Sequence, residues 1–247
     1  MSNILAHTWA QLDIRHATMH VTAQSPPLTI KNFDEYMGSG MSVPTKHGSL
    51  LPDAIRCIIS GPSNSGKTNV LFNLLFDPNG LRFENIYVFS KSLYQPKYKF
   101  LKKAIPKEIG YFVFDDNSQV VHPNNAETNS IMIFDDISCE KHNNIRNYFS
   151  MGRHKNIDTF YLGQTYSSIP KQLIRDNCNF IILFKQDDMN LRHIYSDHVT
   201  TDMSFEKFRE LCAQAWKDNH GFLVIDKTRD LNKGRYRIKF DSFITEL

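Results

Sequence analysis

A glycine-rich loop in the first third of the chain carries the clearest chemical signature. Its run, GPSNSGKT, fits G-x-x-x-x-G-K-[ST]. Glycines let the backbone curl until several N–H groups point at one anion, and a helix that starts there adds unpaired N–H groups and the positive end of its dipole. Lys67 can reach the outer phosphates of a nucleotide, and the Thr68 hydroxyl can ligate Mg²⁺. The predicted nucleotide-binding residues are Gly61, Pro62, Ser63, Asn64, Ser65, Gly66, Lys67 and Thr68.

The residues on either side of this loop place it between a strand and a helix. Ile58 and Ile59 precede the loop. Four apolar residues follow it at helical spacing: Val70, Leu71, Leu74 and Leu75. The alternative is a Gly- and Ser-rich loop that closes an ordinary strand-to-helix turn. The strand–loop–helix context favours phosphate binding, because the motif carries its mechanism only in that context.

A pair of aspartates at the end of an apolar run is the second chemical feature. Asp135 and Asp136 follow Ile-Met-Ile-Phe, and in a P-loop fold such a strand ends beside the phosphates. We expect Asp135 to hold the Mg²⁺ shell and Asp136 to polarise the attacking water. Asp115 and Asp116 end a similar run. The later pair is favoured, because its buried run is longer and another strand follows it.

A glutamine follows the next predicted strand. Two strand candidates lie between the loop helix and Asp135, so at least one strand is expected to insert between the loop strand and the acid strand in the sheet. This is the arrangement of ATPases that use an additional catalytic acid. In that class the inserted strand ends in a polar residue that senses the γ-phosphate, and Asp158-Thr-Phe-Tyr-Leu-Gly-Gln164 fits. The alternative for Gln164 is a surface residue that starts a turn.

Alternating strand and helix patterns predict an α/β fold with a mostly parallel sheet flanked by helices and a C-terminal β-hairpin at the sheet edge. The predicted strands are Ala54–Ser60, Asn85–Ser90, Gly110–Phe114, Ser130–Phe134, Thr159–Gly163, Phe180–Phe184, Gly221–Ile225 and Arg235–Phe240. The predicted helices are Lys67–Phe76, Pro96–Ala104, Asn143–Met151, Lys171–Arg175, Asp188–Tyr195 and Phe205–Asp218.

Composition and charge exclude several classes of protein. A net charge of +3 in 247 residues does not indicate a polyanion partner by itself, so any nucleic-acid surface must come from local patterning. No apolar run approaches the roughly 18 residues of a membrane span, and the N-terminus is too polar for a signal peptide. Four widely spaced cysteines indicate reduced thiols of an intracellular protein. Residues 1–50 are expected to form an extended or partly disordered arm before a P-loop ATPase domain at 51–247.

Four segments together resemble the genome-packaging ATPases of DNA viruses and virus-like transposons, in the FtsK/HerA branch of P-loop motors, a group that includes those of poxviruses and adenoviruses. They are residues 59–68, 131–137, 152–184 and 221–240. The third segment is the most specific to this group. It contains Arg-His, then a strand that ends in Gln, and after that an Ile-Pro pair followed by Arg and Asn. The resemblance implies a RecA-like core, ATP and Mg²⁺ as cofactors, a homo-oligomeric ring and movement of double-stranded DNA into a preformed capsid, in the infected cell or the virion. One departure is Asp136, where this superfamily often has Glu.

A ring motor needs a cation supplied by a neighbouring subunit to stabilise charge on the transferring phosphoryl group. Arg153, just before the sensor strand, and Arg175, after it, are the candidates. The alternative for each is a solvated surface arginine. The sequence favours Arg153 slightly and does not decide between them.

Two clusters of cations are candidates for DNA contact. One interleaves lysines with Tyr98 and Phe100, and the other alternates along a strand, so that its members share a face. Their predicted DNA-contacting residues are Lys99, Lys102, Lys103, Arg235, Arg237 and Lys239. Phosphate contacts of this kind make binding salt-dependent and largely independent of sequence. The alternative for each cluster is an ordinary solvated face.

Other functions of a P-loop protein stay open at this point. A DNA helicase is the nearest alternative. A GTPase needs Asn-Lys-x-Asp after a strand, and Phe184-Lys-Gln-Asp187 has Phe in place of the amide. A small-molecule kinase needs an arginine-rich lid, and no such segment is obvious. A non-hydrolysing scaffold that keeps its P-loop for ring assembly is the remaining possibility.

Overall fold

The structure is a computed structural model that describes residues 45–137 and 143–245. Most of the expected N-terminal arm lies outside these residues, and so does Cys139. The other three cysteines are buried free thiols. At residues 46 and 47 the chain contacts the domain, because Lys46 Nζ and His47 Nε2 lie 2.7 Å and 3.0 Å from Asp158 Oδ2.

In the described part of the chain, nine strands form one sheet. Their bounds are β1 Arg56–Ser60, β2 Asn85–Ser90, β3 Gly110–Phe114, β4 Ser130–Asp135, β5 Ile157–Gly163, β6 Phe180–Leu183, β7 Leu223–Asp226, β8 Tyr236–Ile238 and β9 Ser242–Phe243. The order across the sheet is β3-β2-β4-β5-β1-β6-β7-β8-β9. Neighbours from β3 to β6 are parallel, and β7, β8 and β9 continue the sheet antiparallel. The predicted mostly parallel α/β fold is confirmed, although β9 rather than the predicted hairpin forms the edge.

The helices of the described ranges cover both faces of the sheet. Their bounds are α1 Lys67–Phe76, α2 Pro96–Ala104, α3 Asn143–Met151, α4 Asp188–His198 and α5 Phe205–Ala215. Helices α1 and α2 pack against one face through Leu71 and Leu101. Helices α3, α4 and α5 pack against the other face through residues such as Phe149, Ile194 and Phe208. The central strands are thus buried on both sides, as expected of a parallel sheet, whereas β3 at the edge is partly exposed.

The helix predicted at Lys171–Arg175 was wrong. The segment forms a wide turn in which Gln172 has an extended backbone (ψ 129°) and Leu173 has φ 66°. Pro170 precedes the turn, and the two non-helical residues interrupt the helical hydrogen-bond ladder. The turn closes through Arg175 N–H, which donates to the Pro170 carbonyl oxygen at 3.3 Å.

The last predicted strand was too long, and this changes the interpretation of its cations. Lys239 has φ 56°, so β8 ends before it and the alternation of side chains stops there. Arg237 is fully buried, and its Nη2 lies 2.5 Å from Asp226 Oδ2. Arg235 is also partly buried, because its Nε donates to Asp202 Oδ2 at 2.6 Å. The prediction that Arg237 contacts DNA is therefore wrong, since its guanidinium serves an internal ion pair.

Within residues 45–137 and 143–245, no helix combines the length and apolarity that a membrane crossing requires.

Candidate functional site

Strands β4, β5 and β1 lie side by side, so their carboxyl ends meet at one edge of the sheet. Asp135 at the end of β4 is in register with Leu162 of β5, and Gly163 of β5 is in register with Ser60 of β1. The order confirms the prediction that a strand lies between the loop strand and the acid strand. Gln164 is therefore placed between the acids and the P-loop.

The P-loop begins directly after β1 and takes the curled conformation that its motif predicts. Asn64 and Gly66 have φ 62° and 112°, in the left-handed region, and Gly66 is the N-cap of α1. A Cβ on Gly61 would lie 2.5 Å from Cβ of Phe184, so no larger residue fits there without a shift of this phenylalanine, which directly follows β6. The two motif glycines are thus required by close packing in one case and by backbone geometry in the other.

Side chains of the loop supply donors to the space that the loop encloses. Lys67 Nζ donates to the carbonyl oxygens of Gly61 and Pro62 at 2.6 Å and 2.8 Å, which places the ammonium inside the curl. The buried Ser65 hydroxyl has no hydrogen-bond partner among the described residues. A buried donor without a partner is costly, so a phosphate oxygen fits this cradle. Thr68 is the second residue of α1, within the first helical turn above the loop.

The two acids stand in different environments at the end of β4. Burial raises the pKa of Asp135, and the charge of Asp136 raises it further, while a hydrogen bond from Tyr98 and the charge of Lys67 oppose the rise. Burial likewise lowers the pKa of Lys67, against the opposing charge of Asp135. A desolvated carboxylate of this kind is stabilised by a hard cation, so Asp135 and Thr68 fit a Mg²⁺ site.

Asp136 is exposed and stands in a left-handed backbone conformation, with φ 56°. Its Oδ2 accepts a hydrogen bond from Ser92 Oγ at 2.5 Å. No group of three or more His, Cys, Asp or Glu in the described ranges is arranged to hold a metal ion. Any Mg²⁺ held here would therefore have few protein oxygens, and phosphate oxygens and water would complete its shell, as is usual for Mg²⁺.

Gln164 lies beside the P-loop, as its predicted sensor role requires. Its side chain is exposed, and its Oε1 accepts a hydrogen bond from Ser63 Oγ at 3.3 Å. The backbone joins the same two segments, since Gly61 N–H donates to the Gly163 carbonyl oxygen at 3.1 Å. The amide of Gln164 thus lies next to a loop residue that the motif assigns to phosphate binding.

The comparisons with known proteins agree with this geometry. A model of the family described as Poxvirus A32 protein matches residues 43–238. The chain belongs to the poxvirus A32 protein family. No curated protein matches the sequence of this A32 family member.

Among solved structures, the A32 family chain is similar to the genome packaging NTPase B204 from Sulfolobus turreted icosahedral virus 2 in complex with sulfate. The two chains are 16% identical, with a TM-score of 0.51, over 71% of this chain and 92% of B204. The AMPPCP complex of the same protein gives 15% identity, a TM-score of 0.49 and coverage of 71% and 93%. B204 of Sulfolobus Turreted Icosahedral Virus, described as a DNA-packaging ATPase, is 17% identical to this chain, with a TM-score of 0.48. The match covers 70% of this chain and 92% of that B204 chain. At these identities the likeness shows the fold.

Two motifs that competed for a role in the A32 family chain have other positions. Asp115 and Asp116 follow β3, which is separated from β1 by three strands. Asp116 instead caps a short turn by accepting the Ser118 N–H at 2.7 Å. Asp187 of the Phe184-Lys-Gln-Asp run is the N-cap of α4 and accepts the Asn190 N–H at 2.8 Å. Asp115 and Asp116 therefore lie away from the site at the ends of β4, β5 and β1, whereas Lys185, Gln186 and Asp187 line a cavity beside it together with Ser63 and Gln164.

The two candidate arginines differ in exposure. Arg153 is exposed and lies before β5, about 20 Å of strand away from Gln164, so it cannot serve the nucleotide of its own subunit. Arg175 is only 9% exposed, and its Nη1 lies 2.7 Å from Asp197 Oδ2. The guanidinium of Arg175 also stacks on the Tyr166 ring at 5.1 Å. This packing does not favour Arg175 as the cation supplied to a neighbouring subunit, and the role of Arg153 stays a prediction.

The predicted cluster of lysines and aromatic residues on α2 divides between two faces of that helix, because its lysines are exposed and Tyr98 is buried. Lys99, Lys102 and Lys103 are exposed, as the DNA-contact prediction requires. Tyr98, which the sequence suggested as an aromatic among surface lysines, is 3% exposed and donates its hydroxyl to Asp135. Tyr98 therefore belongs to the candidate site and not to the surface.

Sequence reasoning missed three residues of the site: Ser92, Tyr98 and His220. His220 Nδ1 donates to the Ser65 carbonyl oxygen at 3.0 Å and so supports the P-loop from the segment before β7. Ser92 comes two residues after the end of β2, and that position was the one signal available for it. Polar residues just after a strand of an α/β sheet are candidates for the site at the carboxyl ends.

Proposed function

We propose that this chain is an ATP-hydrolysing motor that moves double-stranded DNA into a viral capsid. One observation carries the proposal: the P-loop, the two acids and Gln164 meet at the ends of three adjacent strands in a member of the A32 family. The fold likeness to B204, a genome packaging NTPase, supports packaging as the use of that chemistry.

In this proposal the P-loop binds the triphosphate of ATP through its N–H groups, Lys67 and the Ser65 hydroxyl. Asp136 accepts a hydrogen bond from the attacking water and orients it, and Gln164 contacts the γ-phosphate beside it. Asp136 is a suitable base in position, because it is exposed one residue beyond the strand end. The P-loop amides and Lys67 stabilise the charge that develops on the phosphoryl group.

Thr68 and Asp135 would hold Mg²⁺, which when bound neutralises charge on the β- and γ-phosphates. The other residues act without it: Lys67 positions the phosphates, and Asp136 and Gln164 position the water. We also propose that the chain forms a homo-oligomeric ring, in which Arg153 of one subunit completes the nucleotide site of the next. Its exposure at the opposite end of β5 supports this role, since an exposed arginine can reach a neighbouring subunit. A capsid protein is the proposed partner of the ring.

The test is the rate of ATP hydrolysis with and without duplex DNA, in the wild type and in Lys67→Ala. We expect duplex to stimulate the wild type, and Lys67→Ala to lower turnover by about 10²–10³-fold, since it removes a cation from the transferring phosphoryl group. Lys207→Ala, an exposed lysine on α5 at the other face of the sheet, is the matched control and should keep the wild-type rate.

Two further measurements separate the alternatives. The first is competition between nucleotides for the P-loop site. If GTP at equal concentration competes with ATP, the site does not have the ATP specificity that we propose. Strand separation of a forked duplex would indicate a helicase, because a packaging motor moves duplex without opening it. A wild-type protein that hydrolyses no ATP under any DNA condition would overturn the proposal in favour of a scaffold.

A further inference from the structure

An aromatic cluster lies on the outer sides of α1 and α2. Phe76 of α1 is 42% exposed and Phe100 of α2 is 59% exposed, whereas Leu71 and Leu101 of the same helices are buried against the sheet. The rings of Phe76 and Phe100 meet edge-on, with their centroids 6.2 Å apart, and Phe72 meets Phe76 in the same way at 6.4 Å. Contiguous exposed apolar patches commonly mark binding sites.

The three rings and Pro78 form the apolar lining of an open cleft of about 510 Å³. This volume is within the range of small-ligand sites, about 300–1,000 Å³. The amide side chains of Asn69 and Asn73 also line the cleft, and an amide can both donate to and accept from a base edge. Asn73 Nδ2 donates to the Asn69 carbonyl oxygen at 2.9 Å, which holds this amide against α1. The cleft therefore offers flat apolar surfaces together with hydrogen-bonding groups, the combination that a nucleobase requires.

Two lysines flank Phe100 on the surface of α2. Lys97 and Lys103 come three residues before and three residues after it, so each lies next to it on the helix surface. Both lysines are exposed, and within the described part of the chain neither forms an ion pair. An acid, Asp77, also lines the cleft, but its carboxylate accepts the Asn79 N–H at 2.8 Å. Unpaired cations on both sides of an exposed ring fit a polyanion.

The exposed rings favour an unpaired strand over a duplex as that polyanion. In a duplex the bases are stacked on one another and present only their edges in the grooves, so a ring outside the duplex does not reach a base face. In a single strand the base faces are free to stack on an aromatic side chain. Lysines alone would be sufficient for a duplex, because its outer surface consists of phosphates and sugars. An exposed ring between two lysines therefore fits a base held between two phosphates of a single strand.

We propose that the cleft between α1 and α2 binds an unpaired segment of DNA. One base stacks on Phe100 beside Phe76, and Lys97 and Lys103 contact the phosphates on either side of that base. This contact requires a free base face, so it gives the chain a preference for DNA that carries an unpaired end or loop. The choice of DNA over RNA rests on the proposed function, whereas the stacking itself does not require ATP hydrolysis.

The experiment measures the affinity of the full chain for two fluorescently labelled probes by anisotropy, without nucleotide or Mg²⁺. One probe is a short oligothymidine, which forms no duplex, and the other is a blunt duplex of the same length. The variants are Phe100→Leu, which removes the flat ring and keeps an apolar side chain, Phe100→Tyr, which keeps the ring, and Lys97→Gln combined with Lys103→Gln. Phe112→Leu, at an exposed phenylalanine on the edge strand β3, is the matched control.

Phe100→Leu should bind the oligothymidine about five- to a hundredfold more weakly, the factor that the loss of one stacked base corresponds to. Its affinity for the duplex should not change, because no base face of the duplex reaches the ring. Phe100→Tyr and Phe112→Leu should bind both probes as the wild type does. The double lysine variant should bind the oligothymidine more weakly, and the salt slope of that binding should fall by about 0.7 for each lysine.

Two results would overturn the inference. One is a Phe100→Leu protein that binds the oligothymidine as tightly as the wild type, and the other is an equal loss of affinity for both probes. If sedimentation shows that Phe100→Leu loses self-association while its affinity for the oligothymidine is unchanged, then the cleft is an interface with a second copy of this chain and the inference is wrong.

The results also separate this inference from the proposed function. If duplex stimulates ATP hydrolysis by the wild type but Phe100→Leu has no selective effect on the oligothymidine, then the inference fails and the motor function stands. If the wild type hydrolyses no ATP but Phe100→Leu selectively weakens binding of the oligothymidine, then the motor function fails and the single-strand site stands.

Discussion

Two regions of this protein gather polar side chains. In one region these side chains are exposed or unpaired, and in the other they are buried and bonded to one another. At the carboxyl ends of β1, β4 and β5, Asp136 and Gln164 are exposed, and the Ser65 hydroxyl has no partner among the described residues. Around α4, most of the buried groups bond to one another, although Arg175 Nε has no partner among the described residues. Asp197 accepts hydrogen bonds from both Arg175 and Tyr166, at 2.7 Å and 3.0 Å.

The second region, which we call the α4 network, also contains His198 and Lys227. The Tyr166 hydroxyl lies 2.6 Å from His198 Nε2, and Lys227 Nζ lies 3.4 Å from His198 Nδ1. A lysine can only donate, so Nδ1 is the acceptor and Nε2 carries the proton that points to Tyr166. The contrast teaches that exposed or unpaired polar groups clustered at several adjacent strand ends indicate function, whereas buried groups that mostly bond to one another indicate structure.

The strongest test of this contrast changes one carboxylate in the site and one cation in the network. Asp136→Asn should lower the turnover of ATP by about 10²–10⁴-fold, the usual contribution of a general base, with an unchanged melting temperature. Arg175→Ala should lower the free energy of unfolding by about 3 kcal/mol, because it leaves Asp197 buried with a weakened set of partners. Turnover per folded molecule of Arg175→Ala should stay near the wild-type value.

Asp116→Asn is the matched control for the first variant, because it changes a second Asp-Asp pair on the distant strand β3. Its rate should equal that of the wild type. An Asp136→Asn protein that hydrolyses ATP normally, or an Arg175→Ala protein that is stable and inactive, would reverse the assignments of the two regions. Turnover is measured by phosphate release and stability by chemical denaturation.

Much of the site could be predicted from the sequence, because each of its parts has a recognisable local sequence pattern. Each part lies at the end of a predicted strand: the loop motif, Asp135 and Gln164. Parallel strands bring their carboxyl ends to one edge of the sheet, so these parts are expected to meet there. The roles of Ser92 and Tyr98 could not be predicted, since they depend on β2 lying beside β4 in one particular register.

Burial of the cations was the other feature that the sequence did not reveal. Arg237 looks like a surface residue because it alternates with Arg235 and Lys239, and Arg175 does so because Asp176 follows it. Their partners, Asp226 and Asp197, lie 11 and 22 residues away and meet them only through the fold. Local patterning therefore predicted the elements well and the exposure of individual charges poorly.

Arg153 lies outside both regions and tests whether the site is completed by another subunit. Arg153→Ala should lower turnover by about 10²–10³-fold without loss of stability, if its cation stabilises the transferring phosphoryl group. Mixing Arg153→Ala protein with Lys67→Ala protein should restore activity, because an intact P-loop then meets an intact arginine from its neighbour. Phosphate release is measured across mixing ratios, and no rescue at any ratio would contradict action in trans.

The smallest effect expected is a pH dependence of stability that belongs to the α4 network alone. Burial, and next the charge of Lys227, lower the pKa of His198 to about 3, from 6.5 in an unfolded chain. Below pH 6.5, His198 binds a proton in the unfolded state but not in the folded state. The free energy of unfolding therefore falls as the pH falls. Between pH 7 and pH 5.5 the loss is about 1 kcal/mol, or about 2–4 °C in melting temperature.

The decisive measurement is the difference in this pH slope between the wild type and His198→Gln. Other titrating groups are common to both proteins and cancel, so the variant should lose about 2–4 °C less than the wild type over this interval. His193→Gln, an exposed histidine on the same helix, should keep the wild-type slope. Equal slopes in all three proteins would mean that His198 binds protons in the folded state, and the α4 network would then not be closed.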